Sequence, residues 1–162
     1  MSKIIYTNSF PPIIGKNSKI LILGTLPSKR SLELHQYYGH PRNAFWKILF
    51  TLFSKQFSSD YDDKKILAIE NNIAIWDVCY TAIRKGSLDS DIKEESPNKI
   101  DELVKLNPSI CIIAFNGQKA AKLYEKHFPK FDNIVYLTLL STSPANAKYS
   151  FEEKLKNWSQ IK

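Results

Sequence analysis

Polar, small and aromatic residues are concentrated in a few segments of this 162-residue chain. Residues 37–46 read YYGHPRNAFW, and residues 141–147 read STSPANA. Two shorter groups, GTLPS at 24–28 and WDV at 76–78, have a similar character. Together these segments offer a neutral amide, hydroxyls, backbone N–H groups and aromatic rings. Such groups are suited to holding a planar heterocycle, because its faces stack on rings and its edge forms hydrogen bonds.

Several common catalytic and cofactor motifs are missing from the sequence. The group Gly24-Thr25-Leu26-Pro27 lacks the glycine spacing and the lysine of a phosphate-binding loop. No G-x-G-x-x-G motif follows an apolar run, and no nucleophile elbow indicates a Ser-His-Asp arrangement. The two cysteines and three histidines do not have the spacing of zinc ligands. We therefore expect neither a metal ion nor an organic cofactor.

Four short aliphatic runs would position the polar segments. They are Lys19–Gly24, Ile73–Val78, Ile110–Phe115 and Ile134–Leu139. Continuous hydrophobicity, in place of alternation, predicts strands covered on both faces, as in a parallel sheet between helices. Polar segments follow the first, second and fourth runs. Because ligands bind beyond the carboxyl ends of such strands, these segments are expected to meet at one rim of the sheet.

Amphipathic segments alternate with the strands and predict the covering helices. The first two are Ala44–Phe53 and Asp62–Asn71, the second with Ile66 and Ile69 facing inward. The order of elements predicts an α/β fold, a three-layer α/β/α sandwich around a central, mostly parallel four-stranded sheet, in one domain over residues 1–162. The other predicted helices run from the Ser96-Pro97 cap to Asn107, from Gly117 to Phe128, and onward from the capping box at Ser150–Glu153.

The composition is that of a globular protein with a basic surface. No apolar run approaches the ~20 residues of a membrane-spanning helix. The beginning of the chain lacks the features of a signal peptide, so we expect a cytoplasmic protein, associated with the nucleoid in a bacterium. Cys79 and Cys111 lie in apolar runs and are expected to be buried. The net charge of +7 favours a polyanionic partner, although a basic surface that only maintains solubility has the same balance.

The polar segments resemble motifs of the uracil-DNA glycosylase superfamily, and most closely those of its hypoxanthine (deoxyinosine) DNA glycosylase branch. The resemblance rests on GTLPS, YGHPRNAFW, WDV and STSPANA in matching order, and it extends from about residue 19 to the C-terminus. It implies the α/β/α fold and removal of a deaminated base, hypoxanthine first, from DNA in base excision repair. Other branches place a catalytic Asn or Asp near Leu26, where leucine cannot act. Two cysteines also cannot supply the four ligands of an iron–sulfur cluster.

The resemblance carries the catalytic role to Asn43, the asparagine of the His-Pro-Arg-Asn motif. Its carbonyl oxygen would orient water under C1′ of the sugar, and its dipole would favour the developing oxocarbenium. Asn43 also precedes a predicted helix, where asparagine is a good N-cap, and the two roles are compatible. The expected base-binding residues are Thr25, Leu26, Tyr38, Phe45, Trp76 and Asp77. The expected DNA-binding residues are Pro27, Ser28, His40, Arg42, Ser141, Thr142, Ser143, Pro144, Ala145, Asn146 and Lys148.

Simpler structural roles stay open for several of these side chains. Phe45 is as typical of a core aromatic as of a base platform, and His40 is also typical of a structural histidine. Asp77, at the end of a strand, would hold a loop through backbone N–H groups. Lys154 and Lys156 on the last helix could contact phosphates, as Lys148 could, but a solvated helix face is expected for these two.

Several other functions are compatible with the sequence. Within the same class, the substrate would be uracil or a mismatched base, or an abundant lysine would act as a Schiff-base nucleophile. From other classes, the chain would be a non-catalytic nucleic-acid binding module or an α/β domain for free nucleotides. No feature of the sequence demands more than a monomer.

Overall fold

The computed structural model describes residues 6–84, 88 and 92–162. A short 3-10 turn, Ser159–Ile161, ends the described chain. The strands are β1 (Tyr6–Asn8), β2 (Ile20–Gly24), β3 (Ile73–Asp77), β4 (Cys79–Ile83), β5 (Lys93–Pro97), β6 (Ile112–Asn116) and β7 (Val135–Leu139). The helices are α1 (Lys29–Leu34), α2 (Phe45–Leu52), α3 (Tyr61–Glu70), α4 (Ile100–Leu106), α5 (Gln118–His127) and α6 (Phe151–Trp158).

A four-stranded sheet with the order β3-β2-β6-β7 forms the centre of the molecule. All three pairings are parallel. Successive side chains of β2 enter different cores, since Ile20 and Ile22 pack on one face and Leu21 and Leu23 on the other. Burial on both faces explains why the strand is a continuous aliphatic run.

Helices cover both faces of this sheet. Residues of α2, α3 and α6, among them Leu49, Leu67 and Trp158, join the core on one face. Residues of α4 and α5, among them Val104 and Tyr124, join the core on the other. The predicted α/β/α sandwich is therefore confirmed. No helix in the described ranges is long and apolar enough to span a membrane.

A second, antiparallel sheet with the order β1-β4-β5 was not predicted. Asn98 joins it to the main sheet, because its Nδ2 donates to the carbonyl oxygens of Asp77 at 2.8 Å and Cys79 at 3.1 Å. The predicted helix start at Ser96-Pro97 is wrong. Both residues pair with β4 as the end of β5, and α4 begins at Ile100. Strand β5 reads KEESP, and its exposed polar residues carry no apolar signal.

Two burial expectations are also wrong. Ile66 is 51% exposed and Ile69 is 42% exposed, because α3 packs on the core through Leu67 and Ala68. Cys111 is exposed, and it directly precedes the first residue of β6. Cys79 is buried, as expected.

Candidate active site

The carboxyl ends of β2, β3 and β6 border a cavity of about 80 Å³. All four polar segments contribute to its lining. The position follows from the parallel sheet, because consecutive strands end at the same edge. The lining residues are Gly24, Thr25, Leu26, Pro27, Ser28, Ser31, Tyr37, Tyr38, Asn43, Asp77, Asn116, Ser141, Thr142 and Ser143.

Gly24 provides a position without a side chain at the end of β2. A Cβ atom here would lie 2.7 Å from Oδ1 of Asp77 and 2.9 Å from Oη of Tyr38. Gly24 and Asp77 are also partners in the β2–β3 register. The side chains of Asp77 and Tyr38 can therefore lie this close to the backbone of residue 24 only because that residue is glycine.

Tyr38 is one of two tyrosines that line the cavity, and it comes from the segment at residues 37–46. Its φ of 53° lies in the left-handed region, which costs roughly 1–2 kcal/mol for a residue with a side chain. Its ring stacks on that of Phe45 with centroids 4.0 Å apart. Phe45 is completely buried, with Trp46 and Trp158 edge-on at 4.9 and 5.7 Å. The aromatic core therefore holds the strained Tyr38 in place.

Tyr37 and Trp76 fasten the segment at residues 10–11 beside the cavity. The Tyr37 hydroxyl donates to the carbonyl oxygen of Pro11 at 2.9 Å, and Nε1 of Trp76 donates to that of Phe10 at 3.0 Å. Burial, with the nearby Asp77 charge as a further cause, raises the pKa of Tyr37 far above its ordinary value. The Tyr37 phenol therefore stays protonated at neutral pH and can donate this hydrogen bond.

Asn43 lies at the entrance to α2 with its side chain at the cavity. Its backbone N–H donates to the His40 carbonyl oxygen at 2.9 Å, and its Oδ1 accepts from the Phe45 N–H at 2.9 Å. This contact satisfies one of the otherwise unpaired N–H groups at the helix start. It also fixes the direction of the amide and leaves the second lone pair of Oδ1 for another donor.

A reciprocal pair of hydrogen bonds joins Asn116 to Thr142. Nδ2 of Asn116 donates to Oγ1 of Thr142 at 2.9 Å, and the Thr142 N–H donates to Oδ1 of Asn116 at 3.0 Å. The Thr142 carbonyl oxygen then accepts from the Ala44 N–H at 3.1 Å. We call this chain the Asn116–Thr142–Ala44 clamp. It ties the end of β6 and the loop after β7 to the residue next to Asn43.

The loop at residues 141–147 is held by its own hydroxyls and by α6. Nδ2 of Asn146 donates to the Ser141 carbonyl oxygen at 3.0 Å, and the Ser143 N–H donates to Oγ of Ser141 at 3.2 Å. Just before the loop, Nε1 of Trp158 donates to the Leu140 carbonyl oxygen at 2.8 Å. The loop therefore has a defined shape before any ligand binds.

Charge among the described lining residues is confined to Asp77, whose side chain is 3% exposed. Within the ranges that the structure describes, no group of three or more His, Cys, Asp or Glu side chains is arranged to hold a metal ion. The lining as a whole is suited to hydrogen bonds with the polar edge of a small ring, because it combines one carboxylate with amides and hydroxyls.

Some of the expected site residues lie outside the cavity. The expectation that Phe45 contacts a base directly is corrected, because its side chain is fully buried under Tyr38. Trp76 does not border the cavity either, because its indole turns toward Phe10. The remaining residues border neighbouring grooves, with His40, Pro144 and Ala145 in one, Asn146 and Lys148 in a second, and Arg42 in a third.

Four lining residues were not among the predicted site residues: Gly24, Ser31, Tyr37 and Asn116. Ser31 belongs to α1, a short helix that the apolar pattern did not reveal. Asn116 closes a predicted strand, so the rule that ligands bind beyond strand ends offered a signal for it. Tyr37 adjoins Tyr38, and the sequence does not indicate that both residues border the cavity.

Comparison with known proteins identifies the family. The family model of the uracil DNA glycosylase superfamily matches residues 11–162. A protein named hypoxanthine DNA glycosylase from Methanosarcina barkeri is 37% identical over 93% of this chain and 94% of its own length. A second protein of that name, from Methanosarcina acetivorans, is 36% identical over 94% and 95%.

A solved structure agrees with this result. A solution NMR structure from Methanosarcina acetivorans, described as a candidate uracil DNA glycosylase, superposes with a TM-score of 0.79 at 31% identity. It covers 97% of this chain and 99% of its own. The resemblance seen in the motifs is confirmed over nearly the whole length. The chain therefore belongs to the uracil DNA glycosylase superfamily.

Proposed function

We propose that this DNA glycosylase hydrolyses the N-glycosidic bond of a flipped hypoxanthine in DNA, with Asn43 as its catalytic residue. The observation that carries the proposal is the position of the Asn43 amide. It borders the cavity at the strand ends, and Phe45 and the Asn116–Thr142–Ala44 clamp restrain it. The relatives named hypoxanthine DNA glycosylase support the choice of substrate.

The reaction breaks the bond from C1′ to the base nitrogen and forms a bond from C1′ to a water oxygen. Positive charge develops on the sugar and negative charge on the departing base. With one lone pair of Oδ1 engaged by Phe45, the other accepts a hydrogen bond from the attacking water. The amide dipole faces the oxocarbenium, and the proton lost by the water ends on the base or in solvent. Positioning and fixed dipoles supply this catalysis without a change in protonation of Asn43.

Base recognition falls to Asp77 and Tyr38 in this proposal. The polar edge of hypoxanthine carries an N1–H group, which donates a hydrogen bond to the Asp77 carboxylate. Adenine has a bare lone pair at N1, which repels a carboxylate, so the undamaged base is rejected. Tyr38 stacks on the ring, and such contacts are worth ~1–3 kcal/mol per base. Flipping costs a few kcal/mol and is easiest for a mispaired base.

The surrounding grooves would hold the DNA. We assign the strand contacts to Pro27 and Ser28 and to the ordered loop at residues 141–147, which would enter the gap left by the flipped base. The chain would work as a monomer without a metal or an iron–sulfur cluster, and in the cytoplasm where the DNA is.

Excision assays with the variants Asn43→Ala, Asn43→Ser and Asn133→Ala test the proposal. Oligonucleotides carrying inosine, uracil or xanthine are incubated with excess enzyme, and base release is measured. Wild type should release hypoxanthine. Asn43→Ala and Asn43→Ser should each be about a hundredfold slower or worse. Asn133→Ala, at an exposed asparagine, is the control and should match wild type.

The serine variant separates catalysis from capping. Serine keeps a side-chain acceptor at the helix start, so Asn43→Ser should unfold close to wild type, whereas Asn43→Ala should lose about 1 kcal/mol. An Asn43→Ser enzyme that excises at the wild-type rate would remove Asn43 from the catalytic role. Trapping of a covalent DNA adduct with borohydride would point to a lysine nucleophile instead.

Uracil is the second candidate substrate. Its N3–H donor, between two carbonyl groups, would meet Asp77 as the N1–H of hypoxanthine does, and the similar solved structure is described as a candidate uracil DNA glycosylase. Faster release of uracil than of hypoxanthine in the same assay would favour this candidate.

A further inference from the structure

Lys154 is a buried lysine for which the described part of the chain offers no counter-ion. It lies on α6, and only 7% of its surface is exposed. Among the described residues no carboxylate pairs with it and no side chain accepts from its ammonium group, and burial lowers its pKa. The expectation that it belongs to a solvated helix face is wrong. By contrast, Lys156 on the same helix is exposed.

The side chain of Lys154 borders a groove directly beside Asn43. Arg42, Lys47 and Phe151 also line this groove, and Asn43 borders both the groove and the cavity at the strand ends. None of the described residues that line it is acidic, and neither Arg42 nor Lys47 forms an ion pair within the described ranges. Three cations that form no ion pair with any described residue therefore border one depression next to the proposed catalytic amide.

This arrangement is suited to a phosphate group. Unpaired like charges repel each other, and an anion between them removes that repulsion. Burial of the Lys154 stem already restricts its rotamers, so little further freedom is lost when the ammonium binds an oxygen. A flipped nucleotide also leaves its two flanking phosphates at the mouth of the cavity. We infer that the Lys154 groove seats the DNA phosphate that flanks the flipped nucleotide.

The inference rests on the proposed function for the identity of the strand, but its test measures binding alone. The probe is duplex DNA with one 2′-fluorinated deoxyinosine, which resists cleavage because fluorine destabilises the oxocarbenium. Binding is measured from low to moderate salt. Lys154→Met keeps the buried stem and removes the charge, and Lys156→Met is the matched control on the same helix.

Loss of one phosphate contact should reduce the salt slope of binding by about 0.9. Lys154→Met should show this loss with an affinity several-fold lower, Lys154→Arg should restore the slope, and Lys156→Met should match wild type. Lys47→Met, at an exposed residue of the same groove, provides a second variant with intact folding and should also lower the slope.

A neutral methylphosphonate in the probe locates the contact. Placed at a phosphate beside the flipped nucleotide, it should weaken binding of wild type but not of Lys154→Met. Equal losses for both proteins at each flanking phosphate, or a wild-type salt slope in both Lys154→Met and Lys47→Met, would overturn the inference. If wild type releases hypoxanthine in that case, the proposed function stands. If wild type releases no base but the effects of the Lys154 variants appear, the phosphate contact is supported and the proposed function is refuted.

Discussion

The Asn116–Thr142–Ala44 clamp should control both the stability of the protein and the position of Asn43. Thr142→Val preserves the shape of the side chain and removes the hydroxyl that accepts from Nδ2 of Asn116. Asn116→Ala removes both side-chain bonds at once. Both residues are buried, Asn116 at 7% exposure and Thr142 at 1%, so water does not easily replace the lost partners.

The magnitudes follow from the number of buried groups left unpaired. One buried polar group without its partner costs about 1–3 kcal/mol. Thr142→Val leaves one such group, Nδ2 of Asn116, and should lower the free energy of unfolding by about that amount. Asn116→Ala leaves both the N–H and the hydroxyl of Thr142 unpaired, and we expect a loss of about 2–6 kcal/mol. The double variant leaves only the Thr142 N–H unpaired, whereas the two single variants together leave three groups unpaired. Its loss of stability should therefore be smaller than the sum of the two single losses by about 1–3 kcal/mol.

Urea unfolding of wild type, both single variants and the double variant gives this coupling energy directly. The same proteins are then assayed for excision with enzyme in excess, under conditions where the folded fraction exceeds nine-tenths. A displaced catalytic group loses rate steeply, up to ~100-fold for an error of about 1 Å. We therefore expect excision by Asn116→Ala to slow by a factor of ten or more.

Two results would refute this reasoning. A coupling energy within about 0.3 kcal/mol of zero would mean that the two side chains do not act as a pair. Wild-type excision by a folded Asn116→Ala protein would mean that the clamp does not position Asn43. Thr142→Ser keeps the hydroxyl and serves as the control, since it should retain both the coupling and the rate.

Two further predictions concern the cavity floor and the ion pair between Glu95 and Lys126. Gly24→Ala places a methyl group against Asp77 and Tyr38, and should slow hypoxanthine excision at least tenfold while circular dichroism shows a folded protein. A wild-type rate would show that neither side chain needs its present position. The pKa of Glu95 is lowered by its hydrogen bond from Lys126, so the stabilisation is present at neutral pH and is lost as pH falls through the lowered value. Urea unfolding between about pH 6 and pH 3 should show a smaller acid loss in Glu95→Gln than in wild type, and equal losses would contradict this assignment.

The central sheet was predictable because its strands are buried on both faces. The runs at Ile20–Gly24 and Ile73–Asp77 contain little besides aliphatic residues, and a covered parallel strand requires that. Their carboxyl ends then located the cavity. Strand β5 had no comparable signal, because a half-exposed strand at the edge of a small sheet is stabilised by pairing with β4 and by Asn98. Pairing with a distant strand leaves little trace in a short polar sequence.

Side-chain roles at the site depended on tertiary contacts that residue type does not report. Tyr38 and Phe45 are both aromatic and both lie in the same motif, yet one borders the cavity and the other is buried beneath it. Tyr38 has a left-handed backbone, and its ring packs on the outside of the core against Phe45. Likewise, Lys154 and Lys156 differ in burial because α6 packs one side against the core.

The physical link between the two long motifs explains why neither suffices alone. The helix start at Asn43 has a local capping contact, but its placement relative to the strand ends depends on the Ala44 N–H bond to Thr142, a residue almost a hundred positions later. Thr142 in turn is held by Asn116 from β6. If Thr142 or Asn116 were lost, the Asn43 amide would therefore keep its local capping contact but would be displaced from the strand ends. For this reason we assign Asn116 to the site as a positioning residue, although the sequence motifs did not identify it.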